Sequence, residues 1–373
     1  MKIVHIIPTL RKGGAERIAL DICIELQKRE GVEVLLVTLH EDNDYPTLSA
    51  KVNCVVCNSK YITSIKGKHQ VDLVQLQNVV DEFKPAIIHS HLFEAEIVSR
   101  NLNAKGVKFI THCHDNMYQF NNLSFCKSPK KNSLTNWYEK KLLVKLYKKC
   151  NNIFIANSID TANFYKKSLP NKMTKTIFII DNAINFNSFY NPNKRKLAEP
   201  VHLINVGSFV KKKNQDFLID VIKLLNSRGV PSTLTLLGDG PRRSSVQDDV
   251  KKANLEAQVE LPGNVENVQD YLNKSTIYVH SATYEPFGLV QVEAMAAGLP
   301  VVALDGKGNR ELIQNGSNGF MVSKVDPIDF AEKIIKIIEN NQTYLTFSKK
   351  SIDFAKKYDI VNYVDELLKN YNQ

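Results

Sequence analysis

Cysteine is scarce: six residues in a chain of 373, at Cys23, Cys54, Cys57, Cys113, Cys126 and Cys150. So few and so scattered, they cannot build the disulfide scaffold of a small secreted domain, and they fit a reducing compartment. Cys54-Val55-Val56-Cys57 has the spacing of zinc and redox pairs. No second pair completes a zinc set, and the two valines favour a strand, so these are read as core cysteines. Long apolar runs are missing too. Nothing approaches the roughly 20 consecutive apolar residues of a spanning helix. The apolar start, Met1 to Pro8, is too short for the core of a secretory leader and lacks a small-residue cleavage site. A cytoplasmic location is the expectation. There is no tandem repeat, no low-complexity block, no nucleic-acid-binding module and no G-x-G-x-x-G dinucleotide fingerprint.

What is present is ordinary globular composition, 43% hydrophobic and 24% charged. The length exceeds the roughly 250–300 residues at which a single core stops growing, so two domains are expected. A net charge of +10 suits an anionic partner, whether nucleic acid, nucleotide phosphates or an anionic membrane surface, and charge alone does not choose among them. Short β-branched runs alternate with helical patterns, as in parallel sheets covered by helices. Candidate strands fall at 2–7, 32–38, 52–56, 87–90, 107–111, 153–156 and 176–180, and Ile18, Ile22 and Leu26 recur at helical spacing. Asn191 to Pro200 is a polar stretch bracketed by prolines, the composition of a linker. A second series follows at 201–206, 234–237, 259–261, 277–280 and 300–304, with a helix over 214–228. The expected fold is therefore α/β, with two doubly wound, Rossmann-like domains at 1–190 and 201–356 joined through 191–200. A C-terminal helix over about 357–373 is expected to pack back on the first domain. Such folds bind ligands outside the carboxyl ends of their strands, here in a central cleft faced by both domains.

Two elements carry chemistry. Arg11-Lys12-Gly13-Gly14-Ala15-Glu16-Arg17 places a glycine pair at the start of a helix, where free N–H groups and the helix dipole favour a phosphate. A plain tight turn explains the same residues equally well. More specific is Glu285-Pro286-Phe287-Gly288-Leu289-Val290-Gln291-Val292-Glu293, between the strand at 277–280 and a helix over 289–297. It puts Glu285 in the loop, the amides of Phe287 to Leu289 at the helix start, and Glu293 deeper along the helix. A diphosphate at the helix start, with a carboxylate on either side accepting hydrogen bonds from hydroxyls, suits this spacing. The competing reading is a helix-capping Glu285 and a solvated Glu293.

The order of these motifs resembles the family-4 retaining glycosyltransferases (group 1, GT-B fold), whose hallmark is E-x7-E. The resemblance also includes Ile88-His89-Ser90-His91, His114-Asp115-Asn116, Val206-Gly207-Ser208-Phe209 with Lys213-Asn214, Leu237-Gly238-Asp239-Gly240-Pro241, and Ala296-Ala297-Gly298-Leu299-Pro300-Val301-Val302. It implies transfer of a sugar from a nucleotide-diphosphate donor to a glycan acceptor with retention of configuration, without metal or other cofactor. The first domain would take the acceptor and the second the donor. Glu285 would bind donor-sugar hydroxyls, Glu293 the ribose, and the Gly288 and Leu289 amides, beside Phe287, the sugar or diphosphate. Lys213 would neutralise the diphosphate as charge grows on the leaving group. Gly13, Gly14, Gly207, Ser208 and Gly238 would complete the donor site. His114 would lie at the anomeric carbon, its backbone carbonyl facing the developing oxocarbenium ion. His112 ends the same candidate strand and is the alternative for that place, His114 being preferred because the family pattern continues into Asp115-Asn116; with His91, His112 is also an acceptor-side candidate. The catalytic set so implied is His114, Glu285 and Lys213.

Departures from the family pattern sharpen the expectations. Many members carry arginine directly after the glycine equivalent to Gly207, where this chain has Ser208; either Lys211 or Lys212 compensates or donor affinity is weaker. Asn182-Ala183-Ile184-Asn185 replaces the usual Asn-Gly-Ile-Asp, which affects a local turn. Asp42-Asn43-Asp44 matches the D-x-D of metal-dependent transferases, but follows the second strand and is better explained as an acidic loop. Alternatives are a nucleotide-sugar epimerase of the same fold, or a catalytically inactive nucleotide-sugar-binding module, the latter motivated by Ser208. Finally, Lys127, Lys130, Lys131, Lys140, Lys141, Lys145, Lys148 and Lys149 face one acid, Glu139, and are interleaved with Trp137, Leu142, Leu143, Leu146 and Tyr147. Such a basic amphipathic helix can rest on an anionic bilayer, which points to a peripheral enzyme extending a lipid-linked glycan on the cytoplasmic membrane face. A solvated helix whose leucines pack on its own domain is the competing reading.

Overall fold

The computed structural model describes residues 1–62, 70–120, 131–150, 152–175, 177–192 and 195–372, excluding the side chains of 131–133. Cys126, Lys127, Lys130, Thr176, Asn193 and Lys194, and the side chain of Lys131, lie outside what is described. The chain divides into two compact units, Met1–Ala183 with Ile360–Gln373, and Ile184–Asp359.

In the first unit seven parallel strands form one sheet: β1 (Lys2–Ile7), β2 (Glu33–Thr38), β3 (Cys54–Val56), β4 (Ile87–His91), β5 (Lys108–Cys113), β6 (Ile153–Ala156) and β7 (Ile177–Ile179). Their order is β3-β2-β1-β4-β5-β6-β7. The second unit has six: β8 (Val201–Val206), β9 (Ser232–Leu237), β10 (Val259–Gly263), β11 (Ile277–His280), β12 (Val301–Leu304) and β13 (Gly319–Val322), ordered β10-β9-β8-β11-β12-β13. Both orders reverse beside the first strand, the doubly wound pattern. Strand β13 is absent from the sequence-based candidates because it is short and opens on glycine. That glycine is obligatory, since a Cβ on Gly319 would stand 1.9 Å from the Val301 carbonyl oxygen.

Local pattern explains the covering helices. Ile18, Ile22 and Leu26 are fully buried on the helix Gly14–Leu26. In Pro327–Ile337, Pro327 opens the helix and Asp326 caps it, accepting from the Ile328 amide at 2.9 Å. The helix Ile360–Tyr371 belongs to the first unit and buries Ile360, Tyr363, Val364, Leu367 and Tyr371. Arg29 pairs with its Asp365 at 2.9 Å, and Lys108 Nζ donates to the Tyr371 carbonyl at 2.8 Å.

Two expectations need correcting. The division falls at Ala183/Ile184, ahead of the expected linker, and Asn191 to Pro200 belongs to the second unit. Arg195 is the reason: its guanidinium donates to the carbonyls of Ala297 at 2.9 Å, Leu272 at 3.1 Å and Ser275 at 2.7 Å. Those carbonyls end helices, where the backbone leaves acceptors to fill, so one arginine overrides a linker-like composition. The Cys54/Cys57 pair is only partly core: both thiols are free, Cys57 is buried, and Cys54 on edge strand β3 is half-buried. Among the described residues no helix is long and apolar enough to cross a membrane.

Candidate active site

In the second unit the loops leaving β8, β9 and β11 are tied to one another. The Gly207 amide donates to the Leu237 carbonyl at 2.9 Å, and position 238 needs glycine twice over, for its φ of +127 and because a Cβ there would lie 2.2 Å from the Gly207 oxygen. The turn Lys211–Lys213 is held by the Thr283 amide on the Lys212 carbonyl (2.9 Å) and by Ser281 Oγ on the Lys213 carbonyl (2.7 Å). Lys213 then runs past Gly207 and sets its Nζ 2.5 Å from Glu285 Oε2.

Glu285 is held from both sides. Its amide donates to the Gly306 carbonyl (2.8 Å), and its carbonyl accepts from the Gly308 amide (3.0 Å). A Cβ on Gly308 would meet the Pro286 carbonyl at 2.1 Å, so this close crossing needs glycine. His280, the last residue of β11, brings Nε2 within 3.2 Å of the same carboxylate oxygen, a close contact rather than an aligned hydrogen bond. Burial alone would raise the Glu285 carboxyl. The Lys213 ammonium, with His280, outweighs burial and holds it well below the usual carboxylate range. His280 itself is pushed down by burial and is neutral near pH 7. The result is an immobilised carboxylate with a cation at its side.

Gly288 caps the following helix, Leu289–Ala296, in a left-handed conformation (φ +106) that suits glycine. Phe287 turns its ring into the core, 5.7 Å edge-on to Tyr358, so only its backbone faces the loop. Glu293 is buried; burial first, then the charges of Glu285 and Glu293, raises the Tyr278 phenol well above its usual value. Both carboxylates of the E-x7-E element therefore act on one tyrosine. Ser208 is exposed, as are Lys211 and Lys212, and the Lys212 ammonium lies 5.5 Å over the Tyr284 ring. Sequence reasoning missed His280 and Tyr278. Their signal was polar residues at the end of a strand directly before the Glu285 loop.

In the first unit Gly13 precedes its helix as expected, with extended backbone. The space its missing Cβ leaves is taken by Glu16, whose Oε2 would stand 2.1 Å from that atom. The chain's own carboxylate thus covers the first turn beside Gly13 and Gly14, and its burial raises the Glu16 pKa. Asp42 pairs with Arg11 at 3.0 Å, Asp44 accepts from the Lys12 amide at 2.9 Å, and Asn43 accepts from the Tyr45 amide at 2.9 Å. All three side chains of the D-x-D match serve the loop.

The three candidate histidines do meet, with two more. His5 lies opposite His89 in the β1/β4 register, and His91 opposite His112 in the β4/β5 register. His112 is fully buried inside β5, whereas His114 follows the strand end and retains 9% exposure. The His114 carbonyl accepts from Asn157 Nδ2 at 2.7 Å. Burial, aided by neighbouring charge, lowers His5 to about 3, and His89, His91 and His114 well below 6.5. Burial also lowers His112 to about 3, partly offset by the Asn182 side chain. All five rings are neutral at pH 7. The triplets His5–His89–His91 and His91–His112–His114 have ring nitrogens within 4.8 Å of one another, a separation metal ligands can have. Their geometry does not suit a shared ion. His5 and His91 meet nitrogen to nitrogen at 2.9 Å, and His91 and His114 at 2.8 Å. His112 instead stacks face-on against His114 at 4.0 Å and 11°.

Known proteins match both halves. The profile described as Glycosyltransferase Family 4 matches residues 12–187, and that described as Glycosyl transferases group 1 matches 189–354. An uncharacterized glycosyltransferase of Methanocaldococcus jannaschii is 30% identical over 202 residues, 54% of each chain. The capsular polysaccharide biosynthesis glycosyltransferase CapM of Staphylococcus aureus is 31% identical over 195 residues, 50% of each. The chain thus spans about half the length of these two relatives. The solved structure of Anabaena HepE in complex with UDP and glucose superposes with a TM-score of 0.79 at 21% identity, covering 100% of this chain and 99% of that one, a likeness of fold. With its two parallel-sheet units and with both profiles together spanning most of its length, the chain belongs to the family-4, group 1 glycosyltransferases of the GT-B fold.

Proposed function

We propose that this glycosyltransferase moves a sugar from a nucleoside-diphosphate donor, taken by the second unit, to a glycan acceptor, taken by the first, with retention and without metal. The observation that carries the reading is Lys213 held against Glu285 beside the Gly288 helix start. A diphosphate entering there shares the Lys213 ammonium, which stabilises charge building on the departing phosphate, and leaves Glu285 free to accept from sugar hydroxyls. Glu293 takes the ribose. Retention follows when the acceptor attacks from the face the diphosphate leaves, the leaving oxygen taking its proton, so no enzymic nucleophile is needed. His114 stands at the anomeric centre; one lone pair of its carbonyl is used by Asn157, and the other is available to the developing cation. The HepE complex with UDP and glucose supports a nucleotide-sugar donor, and CapM supports a role in cell-surface polysaccharide synthesis.

The acceptor is lipid-linked in this reading, and the enzyme peripheral on the cytoplasmic membrane face. The helix Lys131–Cys150 supports it only in part. Leu143, Leu146 and Tyr147 are buried in the unit's own core, and Lys140 turns back toward the Phe120 carbonyl at 3.4 Å. Lys141, Lys145, Lys148 and Lys149 remain exposed, together with Leu134 (46%) and Trp137 (42%), which is the surface that would meet lipid. No nucleic acid is a partner. The test is incubation with uridine, guanosine and adenosine diphosphate sugars, with and without lipid-linked acceptors, reading the anomeric configuration by NMR. An α-linked product from an α-linked donor, unaffected by chelator, is expected. Epimerisation of donor alone, or binding without turnover on any acceptor, would replace the reading with its alternatives.

A further inference from the structure

The histidines of the first unit form a hydrogen-bonded chain with two ends. His114 Nε2 meets His91 Nδ1 at 2.8 Å, His91 Nε2 meets His5 Nδ1 at 2.9 Å, His5 Nε2 meets the Tyr371 hydroxyl at 3.3 Å, and that hydroxyl meets His89 Nδ1 at 2.6 Å. The His5–His91 and His91–His114 ring centroids are 5.2 and 5.1 Å apart, with interplanar angles of 26° and 29°. At those nitrogen separations the rings must meet edge to edge in nearly one plane, the geometry in which an N–H points along a partner's lone pair.

A neutral imidazole carries one N–H, and burial keeps every ring neutral. Each of the four contacts needs one proton, so their directions are set together. Either all four histidines carry the proton on Nε2, or all carry it on Nδ1; the third arrangement, in which the Tyr371 oxygen accepts from both His5 and His89, strands the tyrosine's own buried O–H and is disfavoured for the same reason as a stranded N–H. The far end decides between these states. His89 Nε2 is fully buried and has no hydrogen-bond partner among the described residues. The first state strands an N–H there, and the second only a lone pair, which buried structure tolerates better. The second state therefore prevails, and His91 donates to His114 Nε2. The same closed end gives a proton no exit, so the chain fixes a tautomer and does not carry protons away.

We propose that His91, backed by His5 and Tyr371, is a positioning residue that locks His114 in its Nδ1–H tautomer, so that His114 meets the substrate as a hydrogen-bond donor and not as a base. The inference rests on the reading that His114 lies at the reacting centre. A donor at that place recognises oxygens of the sugar or of the leaving phosphate.

Nitrogen-15 NMR of histidine-labelled full-length protein tests it directly. His5, His89, His91 and His114 are expected to show the Nδ1–H pattern, and the Nε2–H pattern at His114 would overturn the proposal. In His91→Leu, His114 is expected to lose that preference and kcat to fall about tenfold, the worth of one such bond, with donor KM little changed. His91→Asn, whose amide nitrogen takes the place of Nδ1 and can still donate to His114, is expected to restore most of the rate. A His91→Leu enzyme with a mixed His114 tautomer but wild-type kcat would refute the positioning role. Failure of the wild type to use any donor would instead refute the functional reading, whatever the NMR shows.

Discussion

Acidification from pH 7 to pH 5.5 should strongly destabilise the first unit, because five buried histidines are neutral in the fold and chargeable once unfolded. Their folded pKa values lie below the ordinary 6.5, at about 3 for His5 and His112 and well below 6.5 for His89, His91 and His114. For a base lowered on folding, the unfolded chain binds more protons as pH drops below 6.5. Stability is therefore unaffected above that value, declines beneath it, and levels off only near 3. Each ring costs about 1.2 kcal/mol over this interval, or about 6 kcal/mol for the set. Glu96 works in the opposite sense. Burial raises it from 4.5 to about 7, despite Arg100 and the Tyr147 hydroxyl, so the fold takes its proton first and gains stability between those values. That gain offsets about 1.5 kcal/mol, and Glu16, Asp21 and Asp181, also raised by burial, act in the same sense. A net loss of about 4 kcal/mol remains, which lowers Tm on the order of 10 °C for a unit of this size. Calorimetry at the two pH values and constant ionic strength measures it, with His112→Gln expected to shrink the difference by about a third. An unchanged midpoint between pH 7 and 5.5 would refute the argument that these rings are buried uncharged.

Three further outcomes are expected. Glu285→Ala should lower turnover about 10²- to 10³-fold while circular dichroism stays native, and near-normal turnover would remove Glu285 from the catalytic set. Ser208→Arg should tighten nucleoside-diphosphate binding about fivefold to tenfold by calorimetric titration, because it adds a cation one residue past Gly207 without touching either carboxylate. Unchanged affinity would mean that Lys211 or Lys212 already supplies it. In liposome co-sedimentation the protein should pellet with anionic but not neutral vesicles, and less at high salt. Replacing Lys141, Lys145, Lys148 and Lys149 with glutamine should abolish pelleting; no change would reject the helix Lys131–Cys150 as an anchor.

By itself the sequence determined what depends on near neighbours. Periodicity marked nearly every strand and the buried face of Gly14–Leu26, and the Glu285 to Glu293 spacing placed one carboxylate in a loop and the other along a helix. These follow from the 2.0 and 3.6 residue periods and from the conformations glycine and proline permit. Tertiary structure alone decided what depends on residues far apart in the chain. It put Arg195 on the carbonyls of Leu272, Ser275 and Ala297, turned Phe287 inward against Tyr358, and set Lys213 against Glu285. It also joined His5 to Tyr371 across 366 positions of sequence. No local pattern encodes that contact, because it exists only once parallel strands bring β1, β4 and β5 side by side and the last helix folds back over them.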